Sequence, residues 1–201
     1  MNKLMLIVFS LSLFNCSIDR TILEISETEN NILVNFQKMP NESILKITDK
    51  NEPGEELLLC LTFIDKESKR NLSNQLVEFY HTSKDGNYEQ ADSKDESTAR
   101  LNGQAVTNDK GHIYIETILP GGYGNSADNR HIHTTVFGAK PEAYDIHFKQ
   151  YTSFVGKNSS GDQHFFAELK KTKENKLVCF LTIEVKNPNQ KEKQKLLKTK
   201  N

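Results

Sequence analysis

Between Gly54 and Lys186 the apolar residues fall in short runs, separated by turn chemistry at intervals of roughly eight to twenty residues. The runs cover 57–64, 76–81, 104–107, 112–118, 131–137, 144–148, 163–169 and 177–185. Several alternate with a period of two, as in Val77 and Phe79 against Glu78 and Tyr80, or Ile113 and Ile115 against Tyr114 and Glu116. Successive strand residues point to opposite faces, so this pattern gives each strand one face to bury. Asp85-Gly86, Asn108-Asp109-Lys110-Gly111, Gly121-Gly122 and Ser160-Gly161 supply the turns. No helix-period segment longer than two turns stands out, and no internal repeat is present. The expectation is one all-β domain over 54–186, folded as an antiparallel β-sandwich.

Charge and composition narrow the function. The chain has 201 residues, 26 Lys+Arg against 27 Asp+Glu, and a formal net charge of −1. Nucleic-acid binding needs clustered Lys and Arg facing phosphate, so nucleic acid is not an expected partner. No apolar run reaches the length of about 20 residues that spans a bilayer as a helix.

The ends carry separate signals. Residues 1–15 read MNKLMLIVFSLSLFN, one Lys followed by an apolar stretch, and Cys16 comes next. This has the basic and apolar regions of an export signal. It resembles a bacterial lipoprotein signal, in which Cys16 would become the lipidated first residue, with Asn15 where Gly or Ala is usual. The expected location is therefore the bacterial cell envelope, with contact to the membrane only through a lipid anchor. Residues 16–53 are polar and contain Pro40 and Pro53, and read as a spacer that packs partly on the domain. Residues 187–201 hold five Lys and one Glu and read as a disordered tail. Lys3 and that tail contribute +5 between them, so residues 16–186 carry −6 against −1 for the whole chain.

Cys60 and Cys179 lie in the first and last apolar runs. In an exported protein they could be bridged, or they could be two buried thiols; spacing does not decide between these.

The segment with the most chemistry is Pro120-Gly-Gly-Tyr123, followed by Arg130-His131-Ile132-His133. Residues i and i+2 of a strand share a face, so His131 and His133 can aim two imidazoles at one metal ion. His-x-His alone occurs by chance; here Tyr123, Arg130 and, after the Asp85-Gly86 turn, Tyr88 accompany it.

These residues make the sequence resemble the intradiol ring-cleavage dioxygenases, the protocatechuate and catechol dioxygenase family. Residues 77–88 look like the family's strand and turn ending in Gly-x-Tyr, with Tyr80 where Trp is common. Residues 101–123 resemble its Thr-Asp-x-x-Gly turn and the strand that runs to Pro-Gly-x-Tyr, and Arg with His-Ile-His follows. The resemblance implies a transthyretin-like sandwich with Fe(III) as cofactor, held by Tyr88, Tyr123, His131 and His133. Ferric iron is a hard cation that favours anionic oxygen, which suits two phenolates better than a zinc site would. The implied reaction joins dioxygen to a catechol-type ortho-diphenol and gives a cis,cis-muconate-type diacid. In it, Tyr123 yields its position to the substrate and Arg130 stabilises the anionic substrate.

Some features depart from the family. Tyr123 and His131 are only eight positions apart, and Arg130 directly adjoins His131. The family's active-site Gln has no matching residue, although His147 lies near its place. No counterpart of the N-terminal helical region of catechol dioxygenases is expected in these residues. Tyr114, Tyr144 and Tyr151 read as packing residues, and His81, His112 and His164 are given no chemistry. The other reading of the same residues is a non-catalytic transthyretin-like lipoprotein that binds iron or a catecholate. Substrate ring substituents and assembly into a homo-oligomer are open at this level.

Overall fold

The computed structural model describes residues 20–122, 126, 128–152 and 163–188. The leader with Cys16, Tyr123 and the Lys-rich tail from residue 189 on lie outside the described residues.

Two sheets face each other, as expected of a β-sandwich. In chain order the elements are β1 (Leu23–Glu24), α1 (Glu27–Gln37), β2 (Ile44–Lys46), β3 (Glu56–Asp65), β4 (Leu76–His81), β5 (Leu101–Val106), β6 (His112–Ile118), β7 (Asn129–Val136), β8 (Ala143–Thr152), β9 (His164–Ala167), β10 (Lys170–Lys171) and β11 (Leu177–Val185). One sheet has the order β1-β10-β11-β3-β6-β2, the other β5-β4-β7-β8-β9. The second sheet is antiparallel except at its β8–β9 edge. In the first, β3 and β11 run parallel over their whole length, from Leu177 opposite Leu57 to Val185 opposite Asp65.

Alternation explains the core. Leu57, Leu59, Leu61 and Phe63 of β3 face inward with Ile113 and Ile115 of β6, and meet Val77, Phe79, Ile132, Ile146 and Phe148 from the other sheet. The intervening residues of β3 are also apolar, because α1 covers the outer face: Leu33 and Phe36 bury against Leu58, Cys60, Tyr114 and Val178. A strand covered on both faces loses its alternation, and this is why residues 57–61 read as one unbroken apolar run.

The helix is the main departure from the all-strand expectation. Ser26 caps it through a reciprocal pair in which its hydroxyl accepts from the Glu29 amide at 3.2 Å and the Glu29 carboxylate accepts from the Ser26 amide at 2.9 Å. The Ser-x-x-Glu spacing was its sequence signal; the surrounding Asn and Glu residues hid the short apolar stripe. Residues 20–53 therefore contribute a helix and two short edge strands to the sandwich.

Register also settles the cysteines. Cys179 pairs with Leu59 and Phe180 with Cys60, so the two thiols sit one position out of step on neighbouring strands. One-residue offsets put side chains on opposite faces. Cys179 lies in the inter-sheet core and Cys60 under α1, both as free buried thiols.

Candidate metal centre

The outer face of the β4-β7-β8-β9 half of the second sheet carries the polar groups. Pairing sets Tyr80 opposite His133, His133 opposite Asp145, and Asp145 opposite His164. A second row runs from His131 to His147 to Phe166. These residues alternate with core residues such as Ile132 and Ile146, so burying one face of the sheet presents the other as a patch of imidazoles.

Tyr88 reaches this patch from the loop after β4. Gly86, at φ +81°, closes the turn, with its amide donating to the Ser83 carbonyl at 3.0 Å. The Gly121 amide also donates to Ser83, at 2.9 Å, and the Thr82 hydroxyl donates to the Gly121 carbonyl at 3.1 Å. The chain leading to Tyr123 thus lies directly on the loop bearing Tyr88. Any side chain at Gly121 would meet the Gly86 nitrogen at 2.3 Å. Here glycine is required by the approach of two backbones.

Three expected ligands converge. The Tyr88 hydroxyl lies 2.8 Å from His133 Nε2, and His131 Nε2 lies 3.0 Å from the same atom. Two donors each about 2.1 Å from one cation, at right angles, stand about 3.0 Å apart, so these spacings fit one metal. The Asp145 carboxylate accepts from His133 Nδ1 at 2.9 Å. That bond fixes the tautomer and leaves the lone pair of Nε2 pointing at Tyr88 and His131. One lone pair cannot serve two neighbours, whereas a cation takes all three donors. Tyr88 is 7% exposed, so the phenol side of the site is shielded from water.

The surroundings tune these groups. Burial, with His133 nearby, lowers the His131 pKa, which favours the uncharged ring that a metal ligand requires. Asp145 feels burial pulling its pKa up, yet the hydrogen bond from His133 and the adjoining rings hold it below the usual carboxylate range. Tyr80 stacks on His133 with ring centroids 4.6 Å apart. Burial and the carboxylates of Glu96 and Asp145 push its phenol up to about 12, so it serves as a neutral plate against the His133 ring.

Arg130 sits where the β7–β8 register shifts, between Asn129 and His131. Its guanidinium lies over the Tyr151 ring at 4.3 Å from the centroid. Tyr151 packs against the core as expected, and its ring is also a platform for Arg130. His147 stands in the second row, its ring 5.2 Å from that of His131. Asp145 and His164 escaped the sequence reading. Asp145 and His147 repeat the i, i+2 spacing of His131 and His133, but only pairing of β7, β8 and β9 turns those repeats into one patch.

His81 belongs to the frame. Its Nδ1 donates to the Thr82 carbonyl at 2.8 Å and its Nε2 accepts from the Thr117 hydroxyl at 2.7 Å, joining the end of β4 to β6. Burial lowers its pKa to about 4. An unfolded histidine titrates near 6.5, so between pH 6.5 and 4 the unfolded chain binds the extra proton. This stability is fully present above about pH 6.5 and is lost as pH falls, by about 3 kcal/mol across the window. Urea unfolding at pH 7 and pH 4.5 should show that loss, and His81→Gln should reduce the difference.

A family model described as dioxygenase matches residues 33–196. No curated protein matches the sequence. Among solved structures, the dioxygenase domain of a dioxygenase and carbohydrate-binding protein fusion from Streptomyces sp. SirexAA-E is 15% identical, with a TM-score of 0.52 over 74% of this chain and 92% of that one. A 3-chlorocatechol 1,2-dioxygenase from Rhodococcus opacus 1CP is 13% identical, TM-score 0.57, over 74% of this chain and 66% of that one. An intradiol ring-cleavage dioxygenase from Tetranychus urticae is 20% identical, TM-score 0.51, over 75% and 90%. At these identities the structural likeness is one of fold.

Proposed function

This chain belongs to the intradiol ring-cleavage dioxygenase family, and on that premise we propose that it uses ferric iron and dioxygen to open the ring of a catechol-type ortho-diphenol. The observation that carries the reading is the meeting of the Tyr88 hydroxyl, His131 Nε2 and His133 Nε2 within 2.8 and 3.0 Å. Tyr123 would complete the ligand set from the loop that begins at Gly121 and Gly122. These residues would hold a ferric ion, whose Lewis-acid chemistry would activate an ortho-diphenolate toward dioxygen.

The chain's own residues supply the rest. Tyr88 would hold the iron as a phenolate, the anionic oxygen donor that a ferric ion favours. Asp145 holds the Nδ1 proton of His133, so that Nε2 always faces the centre. Tyr80 keeps water from one face of the His133 ring. Arg130, next to His131 in the chain and stacked on Tyr151, would offer positive charge to an anionic substrate. A lipid on Cys16 would tether the domain to the cell envelope, leaving the site in solution.

Iron-loaded protein should be burgundy from tyrosinate-to-iron charge transfer. With catechol it should consume one dioxygen per substrate, and the product should have the mass of catechol plus two oxygen atoms. A coloured protein that binds catechol and consumes no oxygen would instead be an iron- or catecholate-binding lipoprotein. Comparing several catechols in the same assay identifies the ring substituents accepted.

A further inference from the structure

Beside the three converging ligands, the same sheet face carries a second set of donors. His147 Nε2 lies 3.1 Å from His164 Nδ1, and Asp145 Oδ2 lies 3.4 Å from that same His164 nitrogen. All three ligand atoms fall within 4.8 Å of one another. Parallel pairing of β8 and β9 sets Asp145 opposite His164, and the His147 ring is held between His131 and Phe166 at centroid distances of 5.2 and 5.6 Å. Packed strands, not a loop, position the group.

His164 Nδ1 faces two neighbours at once, and in a neutral ring it can hold one hydrogen or one lone pair. A carboxylate oxygen and two imidazole nitrogens gathered this closely form a donor set that a cation can bind together. We propose that Asp145, His147 and His164 form a second metal site, for a divalent cation of the zinc class. The ligand atoms are Asp145 Oδ2, His147 Nε2 and His164 Nδ1, and water takes the fourth position from the exposed side of His164.

The donor chemistry selects the ion. Two imidazoles disfavour calcium and magnesium, which take oxygen ligands, and the set has no phenolate for ferric iron. Tetrahedral bonds of about 2.1 Å put neighbouring donors about 3.4 Å apart, close to the spacings observed. The His164 side chain is 41% exposed, which gives an ion a route in.

Asp145 links the two centres. Its Oδ1 accepts from His133 Nδ1 while Oδ2 faces His164. A cation on Oδ2 therefore draws charge from the carboxylate that orients His133.

Equilibrium dialysis of purified, metal-free protein against cobalt(II), a spectroscopic stand-in for zinc, tests the site. Wild type should bind one equivalent that His164→Ala loses, with at least a tenfold drop in affinity for that equivalent. Tyr88→Phe, altered only at the first centre, should retain it, so failure of the iron site would not be mistaken for failure of this one. His164 is on the surface, and an unchanged unfolding transition would show that the variant folds. Equal cobalt uptake by wild type and His164→Ala, or loss of the same equivalent in Tyr88→Phe, would overturn the proposal.

Discussion

His133→Ala protein is expected to purify colourless, with iron affinity at least about a hundredfold below wild type and no oxygen uptake with catechol. His133 Nε2 is the atom on which Tyr88 and His131 both converge, at 2.8 and 3.0 Å. Removing it takes one of the proposed ligands and leaves the Asp145 carboxylate without the donor it accepts from. Asp145→Asn should be milder, because the ligand stays and only its orientation is lost; partners of this kind typically contribute about 10- to 100-fold in metal affinity. Iron content and visible absorbance of the two variants, with Tyr88→Phe and His131→Ala beside them, provide the check. If Tyr88→Phe and His131→Ala bind iron as well as wild type, the ligand assignment is wrong.

The second large effect is structural. Gly121→Ala should lower stability by about 3 kcal/mol or more and lower Tm by roughly 6–12 °C, as expected for a domain of this size. The new Cβ would meet the Gly86 nitrogen at 2.3 Å, the Lys84 carbonyl oxygen at 2.5 Å and the Lys84 carbonyl carbon at 2.8 Å. All three atoms are backbone, so the clash is relieved only if the loops separate. Those loops carry Tyr88 and lead to Tyr123, so iron affinity should fall with stability. Gly103→Ala offers the contrast: its Cβ would meet Leu45 Cδ1 at 2.6 Å, the end of a side chain that can rotate away. Thermal unfolding of both variants should show the larger loss at Gly121.

Local signals in the sequence account for much of the fold. The runs at 76–81, 112–118 and 177–185 coincide with β4, β6 and β11, because in each an apolar stretch is bounded by turn residues. The expected strand at 104–107 begins earlier, at Leu101. Gly103 obscured its start, and that glycine is there because Leu45 crosses the strand. β8 runs on to Thr152, past the expected end at Phe148, through a buried Gln150. That polar residue reads as a strand end, yet its amide is satisfied by both the amide and the carbonyl of Leu169, at 3.1 Å each. Helix α1 was missed because its apolar positions are few, and Leu33 and Phe36 become core residues only against β3 and β6.

The site divides along the same line. His131 and His133 were legible as a pair because the strand period alone puts them on one face, and Tyr88 and Tyr123 entered through motif resemblance. Asp145, His147 and His164 were not legible as partners. Their grouping depends on which strands become neighbours and in what register, and sequence spacing within one strand carries no information about that.

By itself, then, the sequence determined the all-β class, the strand faces and the residue types suited to ferric iron, since each follows from local periodicity, turn chemistry or motif. Only the tertiary structure decided that Cys60 and Cys179 lie on opposite faces. Only it set Tyr80, His133, Asp145 and His164 in a row across four strands, and laid the Gly121 backbone on the turn that carries Tyr88. These are products of strand order and register, which arise when two sheets bury their apolar faces together, a long-range event that no short stretch of chain encodes alone.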